Sequence, residues 1–337
     1  MLNADQPSPD KMFDMLLAPL VCQAIGAMAR LGIADLYANQ PLSTGFIAES
    51  VGANEGHLRR ILRLLAEHGL LAAEPGDAWT LTATGALLKS DVPGSMRHMA
   101  ILQTDDAHWK TVGRMTQCVR SGEPQDVAAL GSSVWEFYQK HPEDADSFSK
   151  AMANVSAMAI DHVLANYDFS GKRTIVDVGG AYGAMLAAVL RQNPAASGVL
   201  FDQPHVLEGA DQILGDVSPR VTKAPGSFFT DEIPAGDLYI LKHILHDWND
   251  AQCLKILQTV RRSMKPGAKL LVVEFNVPEE GATGPVLRLD LLMMVVLDGK
   301  ERTSGQLAEL FAQAGLKHTR TIPTESPFAL VEAEAVF

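Results

Sequence analysis

Residues 175–183 read IVDVGGAYG, an apolar run that leads directly into a glycine-rich turn. An amphipathic pattern follows, so the stretch predicts a strand, a tight turn and a helix in succession. The spacing differs from the GxGxxG fingerprint of dinucleotide sites, because here the acid precedes the glycines. Glycine lets backbone amides approach a ligand closely at the carboxyl end of a parallel strand. We therefore expect a binding site at Asp177, Gly179, Gly180 and Gly183.

Strand-length apolar runs alternate with amphipathic helices throughout the part of the chain that follows Lys172. The segments are 174–178, 184–192, 198–201, 236–242, 250–263, 268–275 and 304–314. Such alternation predicts a parallel, doubly wound α/β sheet of the Rossmann-like kind. Asp202 closes the second strand, where an acid is placed to accept hydrogen bonds from both hydroxyls of a ribose.

A second motif, LKHILHDWND at 241–250, lies at the end of the next apolar strand. Its His246 falls where open α/β sheets bind ligands, and histidine can remove a proton near neutral pH. Glu274 ends the following strand, and Glu301 lies in the run DGKERT at 298–303. A carboxylate beside a histidine fixes its tautomer and stabilises its charged form, so both acids are candidate partners. For Glu301, an ion pair with the adjacent arginine or a helix cap is the structural alternative.

The first half of the chain has a helical pattern. A long apolar helix is predicted over 13–31, and two short helices and two short strands follow between 41 and 88, the order of a winged helix-turn-helix. Further helices are predicted from 91 to 166. A helix that is apolar around most of its circumference is usually buried in a core or in a subunit interface. We therefore expect a homodimer that pairs through this helix.

Composition and charge restrict the class of protein. The chain has 337 residues, of which 47% are hydrophobic and 20% charged, and a net charge of −12, which argues against nucleic acid as the main partner. Cys22, Cys118 and Cys253 are widely spaced and form neither a disulfide framework nor a zinc motif, so we expect no metal and a cytoplasmic location. The N-terminus lacks the pattern of a secretion signal, and no apolar run reaches roughly 18 residues, so we expect no membrane association.

The runs DVGGAYG, FDQPHV, LKHILHDWND, VVEFNVPEE and DGKERT resemble, in order and spacing, those of the plant-type O-methyltransferases. That family includes the caffeate and hydroxyindole enzymes and bacterial enzymes that tailor small molecules, and the resemblance covers nearly the whole chain. It implies the class I methyltransferase fold, with S-adenosyl-L-methionine as cofactor and S-adenosyl-L-homocysteine as product. It also implies a helical winged-helix dimerisation domain at 1–100, a helical segment lining the acceptor pocket at 101–165, and a Rossmann-like catalytic domain at 166–337.

The resemblance also implies roles for individual residues. His246 resembles the family's general base, and Glu274 and Glu301 resemble the acids that flank it. The candidate cofactor-binding residues are Asp177, Gly179, Gly180, Gly183, Asp202, Gln203, Ser227, Phe228 and Lys242. The candidate acceptor-pocket residues are Phe148, Met152, Leu292, Met293 and Val296. Ser227 departs from the family, which has an acid beside the adenine; a hydroxyl can accept an adenine amino proton without charge, so we expect weaker cofactor affinity.

The predicted reaction is in-line transfer of a methyl group from a sulfonium to a hydroxyl of a small, partly apolar acceptor, with His246 taking the proton. A nitrogen or sulfur acceptor is an alternative, and a thioether would need no base. A family member repurposed for hydroxylation, decarboxylation or a pericyclic step is disfavoured. Such chemistry does not need a base for methyl transfer, yet the chain has His246, Glu274 and Glu301 together. A winged-helix DNA-binding regulator is also disfavoured, because glutamates flank the arginines of the predicted recognition helix and the chain is acidic.

Overall fold

The computed structural model describes residues 8–337, which form two compact units. The first unit comprises residues 8–110 with Trp135–Asn154, and the second comprises Thr111–Val134 with Val155–Phe337. The helices up to residue 166 are α1 (Pro9–Arg30), α2 (Thr44–Val51), α3 (Glu55–Glu67), α4 (Ala83–Ala86), α5 (Arg97–Leu102), α6 (Asp106–Val112), α7 (Met115–Ser121), α8 (Asp126–Leu130), α9 (Val134–Lys140) and α10 (Pro142–Asn166).

The first unit contains the predicted winged-helix pattern. Its strands are β1 (Leu42–Ser43), β2 (Leu71–Glu74) and β3 (Ala78–Leu81), which form an antiparallel sheet in the order β1-β3-β2. Helix α2 begins at Ser43, whose side chain accepts a hydrogen bond from the amide of Phe46, and it ends at Gly52 in the left-handed conformation. Asn54 caps α3 in the same way. The predicted order of helices and strands between 41 and 88 is confirmed.

Helix α1 is divided between a buried end and an exposed end. Ala24, Met28 and Ala29 are buried in the core of the first unit. Large apolar side chains near the other end are exposed: Met12, Phe13, Met15, Leu16, Leu17 and Leu20. The helix has 22 residues and contains an 18-residue window with a mean hydropathy of 1.6, so by length and composition alone it could cross a membrane. Asp14 and Gln23 interrupt its apolar residues, and the expectation of no membrane association stays a prediction.

The second unit is built on a mostly parallel sheet. Its strands are β4 (Thr174–Val178), β5 (Ser197–Asp202), β6 (Val221–Pro225), β7 (Leu238–Lys242), β8 (Lys269–Phe275), β9 (Leu316–Pro323) and β10 (Phe328–Ala335). The strand order is β6-β5-β4-β7-β8-β10-β9, and β10 pairs antiparallel with both β8 and β9. The expectation of a parallel sheet is therefore correct for β4 to β8 and wrong at this edge. A turn of only four residues joins β9 to β10, and so short a connection permits only antiparallel pairing.

Helices cover both faces of this sheet, as in a doubly wound fold. They are α11 (Ala184–Gln192), α12 (Pro204–Leu207), α13 (Ala210–Leu214), α14 (Asp250–Ser263) and α16 (Ser304–Gln313). Helix α15 (Pro285–Leu297) packs instead against α7 and α8. Side chains along β4 alternate between two cores: Val176 packs in the cluster with α14 and α16, and Ile175 packs in the cluster with α11. The order reverses at β4, which lies between β5 and β7, and such a switch point opens a crevice at the carboxyl ends of the strands.

Candidate active site

The turn after β4 requires glycine at three positions. Gly179 has φ +69°, and a Cβ atom there would lie 2.5 Å from Cδ1 of Ile244. A Cβ atom on Gly180 would lie 2.6 Å from Cγ of Asp177. Gly183 has φ +80° and precedes the first residue of α11. The chain therefore passes closely over Asp177 and the β7 end, and larger residues would push it away.

Asp177 is a buried acid beneath this turn. Neither carboxylate oxygen has a hydrogen-bond partner within the described part of the chain. Burial raises the pKa of Asp177 to about 6, while the charge of Lys242 opposes the shift. Lys242 lies at the end of β7 and donates a hydrogen bond to Oγ of Ser156 on α10 at 2.7 Å, and burial lowers the pKa of its ammonium group. A buried polar group without a partner is a position where a ligand can supply one.

Asp202 ends β5 beside the same turn. Its Oδ2 accepts a hydrogen bond from the amide of Ala181 at 2.8 Å, and its Oδ1 accepts one from the amide of Gln203 at 2.7 Å. These contacts fix the carboxylate and still leave lone pairs on both oxygens for a further donor. Burial raises the pKa of Asp202, and the two amide hydrogen bonds oppose that rise. Gln203 is exposed and precedes α12.

The turn after β6 carries Ser227 and Phe228. The amide of Gly226 donates to the carbonyl of Asp202 at 3.0 Å, which places this turn next to the β5 end. Oγ of Ser227 accepts from the amide of Phe229 at 3.3 Å, and the amide of Ser227 donates to the carboxylate of Asp231 at 2.8 Å. Sequence reasoning assigned nothing to Asp231, although it supplies an acid four residues after the position where the resembled family has one.

His246 lies on a 3₁₀ turn, Leu245–Asp247, that follows β7. Its Nδ1 atom is 2.9 Å from Oε1 of Glu301 and 4.0 Å from Oε2 of Glu274, and its Nε2 atom is 3.3 Å from Oδ1 of Asp247. Oε1 of Glu274 instead accepts the amides of Ile244 and Leu245, at 3.2 Å and 3.0 Å. Glu301 thus holds the imidazole, whereas Glu274 holds the backbone of the turn.

The charges around His246 determine its protonation. Burial on its own would lower the pKa of the imidazole, but the carboxylates of Asp247, Glu274 and Glu301 raise it to about 10. Burial raises the pKa of Asp247 to about 7, and the positive imidazole opposes this rise. The sequence analysis gives no role to Asp247. Its position directly after His246 in the run HDW could have indicated that its charge acts on the imidazole.

A second histidine, His243, lies in the same place and was not singled out from the sequence. Its φ is +53°, and neither ring nitrogen has a hydrogen-bond partner in the described chain. Burial lowers the pKa of His243 to about 4. Its Nδ1 is 3.7 Å from Oε2 of Glu274, and with His246 the three groups offer ligand atoms within 4.8 Å of one another. Ligands around one zinc ion lie about 3.4 Å apart, so these atoms would have to move together to bind one. The expectation that no metal takes part stays a prediction.

Helix α15 carries three of the candidate acceptor residues and is bonded to the loop that contains Glu301. Leu292 and Met293 are half-buried, whereas Val296 is buried and packs as core. The amide of Gly299 donates to the carbonyl of Met293 at 3.2 Å, and the amide of Glu301 donates to a carboxylate oxygen of Asp290 at 2.9 Å. The start of the DGKERT run is therefore anchored to this helix.

Phe148 and Met152 lie on the part of α10 that belongs to the first unit. The ring of Phe148 is stacked with Tyr138 at a centroid distance of 4.9 Å and meets Trp135 edge-on at 5.8 Å. Met152 is half-buried. Phe148 is thus part of an aromatic cluster within the first unit, and the roles of Phe148 and Met152 toward an acceptor stay a prediction.

The chain is similar to known methyltransferases over nearly its whole length. Residues 113–317 match the model of an O-methyltransferase domain, and residues 13–91 match that of an O-methyltransferase dimerisation domain. The chain is 37% identical over 334 residues to the phenazine O-methyltransferase PhzM of Lysobacter antibioticus, covering 98% of this chain and 97% of that protein. It is 36% identical to the mitomycin biosynthesis 6-O-methyltransferase of Streptomyces lavendulae, covering 95% and 92%.

Two further relatives bear on the acceptor atom and the cofactor. The 8-amino-8-demethylriboflavin N,N-dimethyltransferase of Streptomyces davaonensis is 34% identical, covering 91% of this chain and 89% of that protein. The crystal structure of human N-acetylserotonin methyltransferase in complex with S-adenosylmethionine superposes with a TM-score of 0.90 at 25% identity, covering all of both chains.

Proposed function

The chain belongs to the O-methyltransferase family, and from that premise we propose that it transfers the methyl group of S-adenosylmethionine to a hydroxyl of a small, partly apolar molecule, with His246 as general base. The bond between His246 and Glu301 carries the proposal. Glu301 accepts the Nδ1–H of the imidazole at 2.9 Å, so Nε2 is the nitrogen left to take a proton from the acceptor. The Glu274 carboxylate, which holds the turn, adds negative charge that stabilises the imidazolium formed in that step.

The crevice residues fit the cofactor that the family uses. Bound S-adenosylmethionine supplies a methyl group activated by the positive charge of its sulfonium. The glycines at 179, 180 and 183 let the backbone turn tightly at the end of β4, where its amides could face the cofactor, and the unpartnered carboxylate of Asp177 lies beneath them. Asp202 would accept the ribose hydroxyls, and the exposed Gln203 follows it.

The adenine side of this proposed site differs from the resembled family. Phe228 would pack on the adenine, and Ser227 would offer a hydroxyl in place of an acid. Because Oγ of Ser227 already accepts from the amide of Phe229, its second lone pair is what remains for the adenine amino group. Lys242 would lie on the sulfonium side, where burial lowers the pKa of its ammonium group and the charges of Asp177, Glu274 and Asp247 oppose that shift.

For the acceptor, we propose from the family resemblance that Phe148 and Met152 of the segment 101–165 contact the acceptor. We propose the same role for Leu292 and Met293 of α15, with Val296 supporting that helix from the core. A nitrogen acceptor is the second candidate, because one relative is an N,N-dimethyltransferase. A non-methylating reaction is less well supported, since the chain keeps the arrangement of His246 and Glu301. DNA binding is disfavoured because Arg59 of α3 is paired with Glu55 and Asp77.

We propose that the enzyme acts as a homodimer in the cytoplasm. The first unit carries the O-methyltransferase dimerisation domain, and the exposed apolar residues of α1 lie within or beside the matched region. Pairing of two copies would bury that surface, which a monomer would leave in water.

The deciding experiment is transfer of labelled methyl from S-adenosylmethionine to a panel of phenols, hydroxyacids, amines and thioethers. We expect label on a hydroxyl compound of the panel, with His246 required. Label only on amines or thioethers would overturn the hydroxyl assignment. Binding of the cofactor without transfer to any compound would favour a non-methylating member.

A further inference from the structure

Two segments of the second unit face each other around the base. One is the base turn, residues 245–250, and the other is the clamp loop, residues 298–302. Gly299 shows how closely they approach, because a Cβ atom there would lie 2.0 Å from the carbonyl oxygen of His246 and 2.7 Å from the carbonyl carbon of Asp247. The side chain of Asn249 donates to the carboxylate of Asp298 at 2.8 Å, which fixes the register of the two segments.

Arg302 binds the base turn through its backbone. One terminal nitrogen of the guanidinium donates to the carbonyl of Leu245 at 2.7 Å, and the other donates to the carbonyl of Trp248 at 2.7 Å. These two carbonyls bracket His246 and Asp247. The Nε and a terminal nitrogen also donate to Oδ1 of Asp250, at 2.9 Å and 2.8 Å, which orients the fork. Arg302 is only 4% exposed, so water cannot readily replace these bonds.

Neighbouring residues of the clamp loop therefore hold different parts of one catalytic group. Glu301 binds the ring of His246, and Arg302 binds the backbone on both sides of it. The thiol of Cys253 also contacts the carbonyls of Leu245 and Trp248, at 3.1 Å and 3.3 Å, but a thiol is a weak donor. The charged, planar fork of Arg302 supplies the strong and directional bonds.

We propose that Arg302 is a positioning residue for the methyl-transfer step, because it fixes the orientation in which the His246 ring meets both Glu301 and the acceptor. The inference rests on the proposed function of His246. Arg302 touches neither the reacting atoms nor the candidate cofactor residues, so it acts through the base turn. Misplacement of a catalytic group by about 1 Å can cost on the order of 10²-fold in rate, which sets the size of the expected effect.

The test compares Arg302→Lys with Arg191→Lys in the full chain. A lysine keeps the charge but cannot bridge two carbonyls and a carboxylate at once. We expect the single-turnover rate of Arg302→Lys to fall by about 10- to 100-fold while its affinity for S-adenosylhomocysteine stays within about twofold of the parent. Arg191 gives the matched control, because it also bonds a carboxylate, Asp216 at 2.9 Å, and a main-chain carbonyl, Leu214 at 3.4 Å, but lies outside both segments and has a side chain that is 47% exposed, so its variant should keep the parent rate.

Arg302→Ala with added guanidinium provides a second variant. Added at concentrations too low to denature the protein, guanidinium should restore part of the lost rate, because it can occupy the space of the missing fork. A purely structural role predicts instead that rate, cofactor affinity and thermal midpoint fall together in both variants and that guanidinium restores nothing. That result, or a parent-like rate in Arg302→Lys, would overturn the proposal.

A spectroscopic measurement separates this inference from the role of His246 as base. A histidine Nδ1–H bonded to a carboxylate gives a proton NMR signal far downfield, which can be recorded without cofactor or acceptor and identified by its absence in His246→Asn. We expect Arg302→Lys to shift or broaden this signal and Arg191→Lys to leave it in place. An unchanged signal in Arg302→Lys would refute the positioning role, whereas a normal rate in a His246 variant would refute only the base.

Discussion

The Nδ1 atom of His246 lies 2.9 Å from Oε1 of Glu301, a carboxylate whose side chain is only 1% exposed. So buried an acceptor for Nδ1–H selects one tautomer of the neutral ring and directs Nε2 away from Glu301. A general base needs both properties, a known tautomer and a second ring nitrogen directed away from the carboxylate that holds the ring. In His246 that second nitrogen, Nε2, lies 3.3 Å from Oδ1 of Asp247. The consequences for activity, pH and stability can each be measured.

Removing the imidazole should stop proton transfer and leave cofactor binding in place. For His246→Ala we expect the single-turnover rate on a hydroxyl acceptor to fall by roughly 10²–10⁴-fold, the usual contribution of a positioned base. Its residual rate should rise with pH as the acceptor ionises in solution, and affinity for S-adenosylhomocysteine should hardly change. His318→Ala on β9, which removes a contact with Thr321, is the matched control. A near-normal rate for His246→Ala would end the proposal.

The carboxylates around His246 predict the pH dependence. They raise its pKa to about 10, so the ring is largely protonated at pH 7 and the transfer rate should rise with pH. The groups facing the ring are Asp247 on its own turn, Glu274 on β8, Glu301 on the clamp loop and the neighbouring His243. Because the folded pKa lies above the unfolded value of about 6.5, this interaction stabilises the fold below that pH and is lost as pH rises through about 10.

Asp247→Asn tests this explanation, because the charge of Asp247 contributes most to raising the pKa of His246. We expect the pH profile of the single-turnover rate to move to lower pH in this variant. Asp216→Asn, which removes an exposed partner of Arg191, should leave the profile where it is. A profile that does not move in Asp247→Asn would mean that the carboxylates do not tune the base.

Asp202 should contribute to cofactor affinity and not to the transfer step. Replacement by alanine removes the proposed acceptor of both ribose hydroxyls and leaves the amides of Ala181 and Gln203 without their partner. We expect a loss of about 2–4 kcal/mol in the binding free energy of S-adenosylhomocysteine, measured by calorimetric titration. Asp211→Ala, at an exposed pair with Lys223, serves as the control. Equal affinity in Asp202→Ala and the parent would refute the assignment.

Gly299→Ala should separate the clamp loop from the base turn. The added methyl would lie 2.0 Å from the carbonyl oxygen of His246, so the backbone must shift. We expect a loss of about 1–3 kcal/mol in the free energy of unfolding, measured by urea denaturation, together with a reduced transfer rate. Gly56→Ala on α3 provides the contrast, because its Cβ would meet Asn54 at an ordinary 3.5 Å and should stabilise the helix. A stable, fully active Gly299→Ala would show that the two segments do not need this approach.

The exposed end of α1 predicts the behaviour of the dimer. Leu16 is 68% exposed and Leu20 is 61% exposed. A charge at either position, as in Leu16→Glu or Leu20→Glu, should dissociate the dimer at concentrations where the parent is paired, as measured by light scattering or sedimentation. Lys11→Glu, a change of charge at a polar position of the same helix, should not. A parent that is a stable and active monomer when diluted would contradict the proposed pairing.

Periodicity and strand-end motifs predict much of the second unit. The segments 174–178, 184–192 and 250–263 coincide with β4, α11 and α14, because each joins a clear hydrophobic period to a glycine or an N-cap. The strands β9 and β10 were missed because charged residues interrupt their alternation. Glu332 of β10, for example, is buried, and its carboxylate accepts hydrogen bonds from Tyr167 and Thr319. No local sequence pattern reveals these partners.

The contact between His246 and Glu301 is predicted in part. The resemblance implies that Glu274 and Glu301 flank the histidine, and the structure places Glu301 2.9 Å from its Nδ1 atom. The different task of Glu274, which accepts the amides of Ile244 and Leu245, depends on side-chain direction and is not visible in sequence. The same applies to Arg302, whose partners are main-chain carbonyls, since any residue type can supply a carbonyl.

The strand order of the central sheet also affects the order in which the protein can fold during synthesis. Strand β10 follows all the other strands of this sheet in the chain, yet it lies between β8 and β9. Until residues 328–335 leave the ribosome, the edge of β8, with Glu274 near its end, has no partner on that side. Before β10 is released, a nascent chain therefore exposes the edge of β8, and unpaired strand edges are prone to wrong association. Pairing of β10 then completes the sheet and covers the edge of β8, whose Glu274 holds the turn that carries His246.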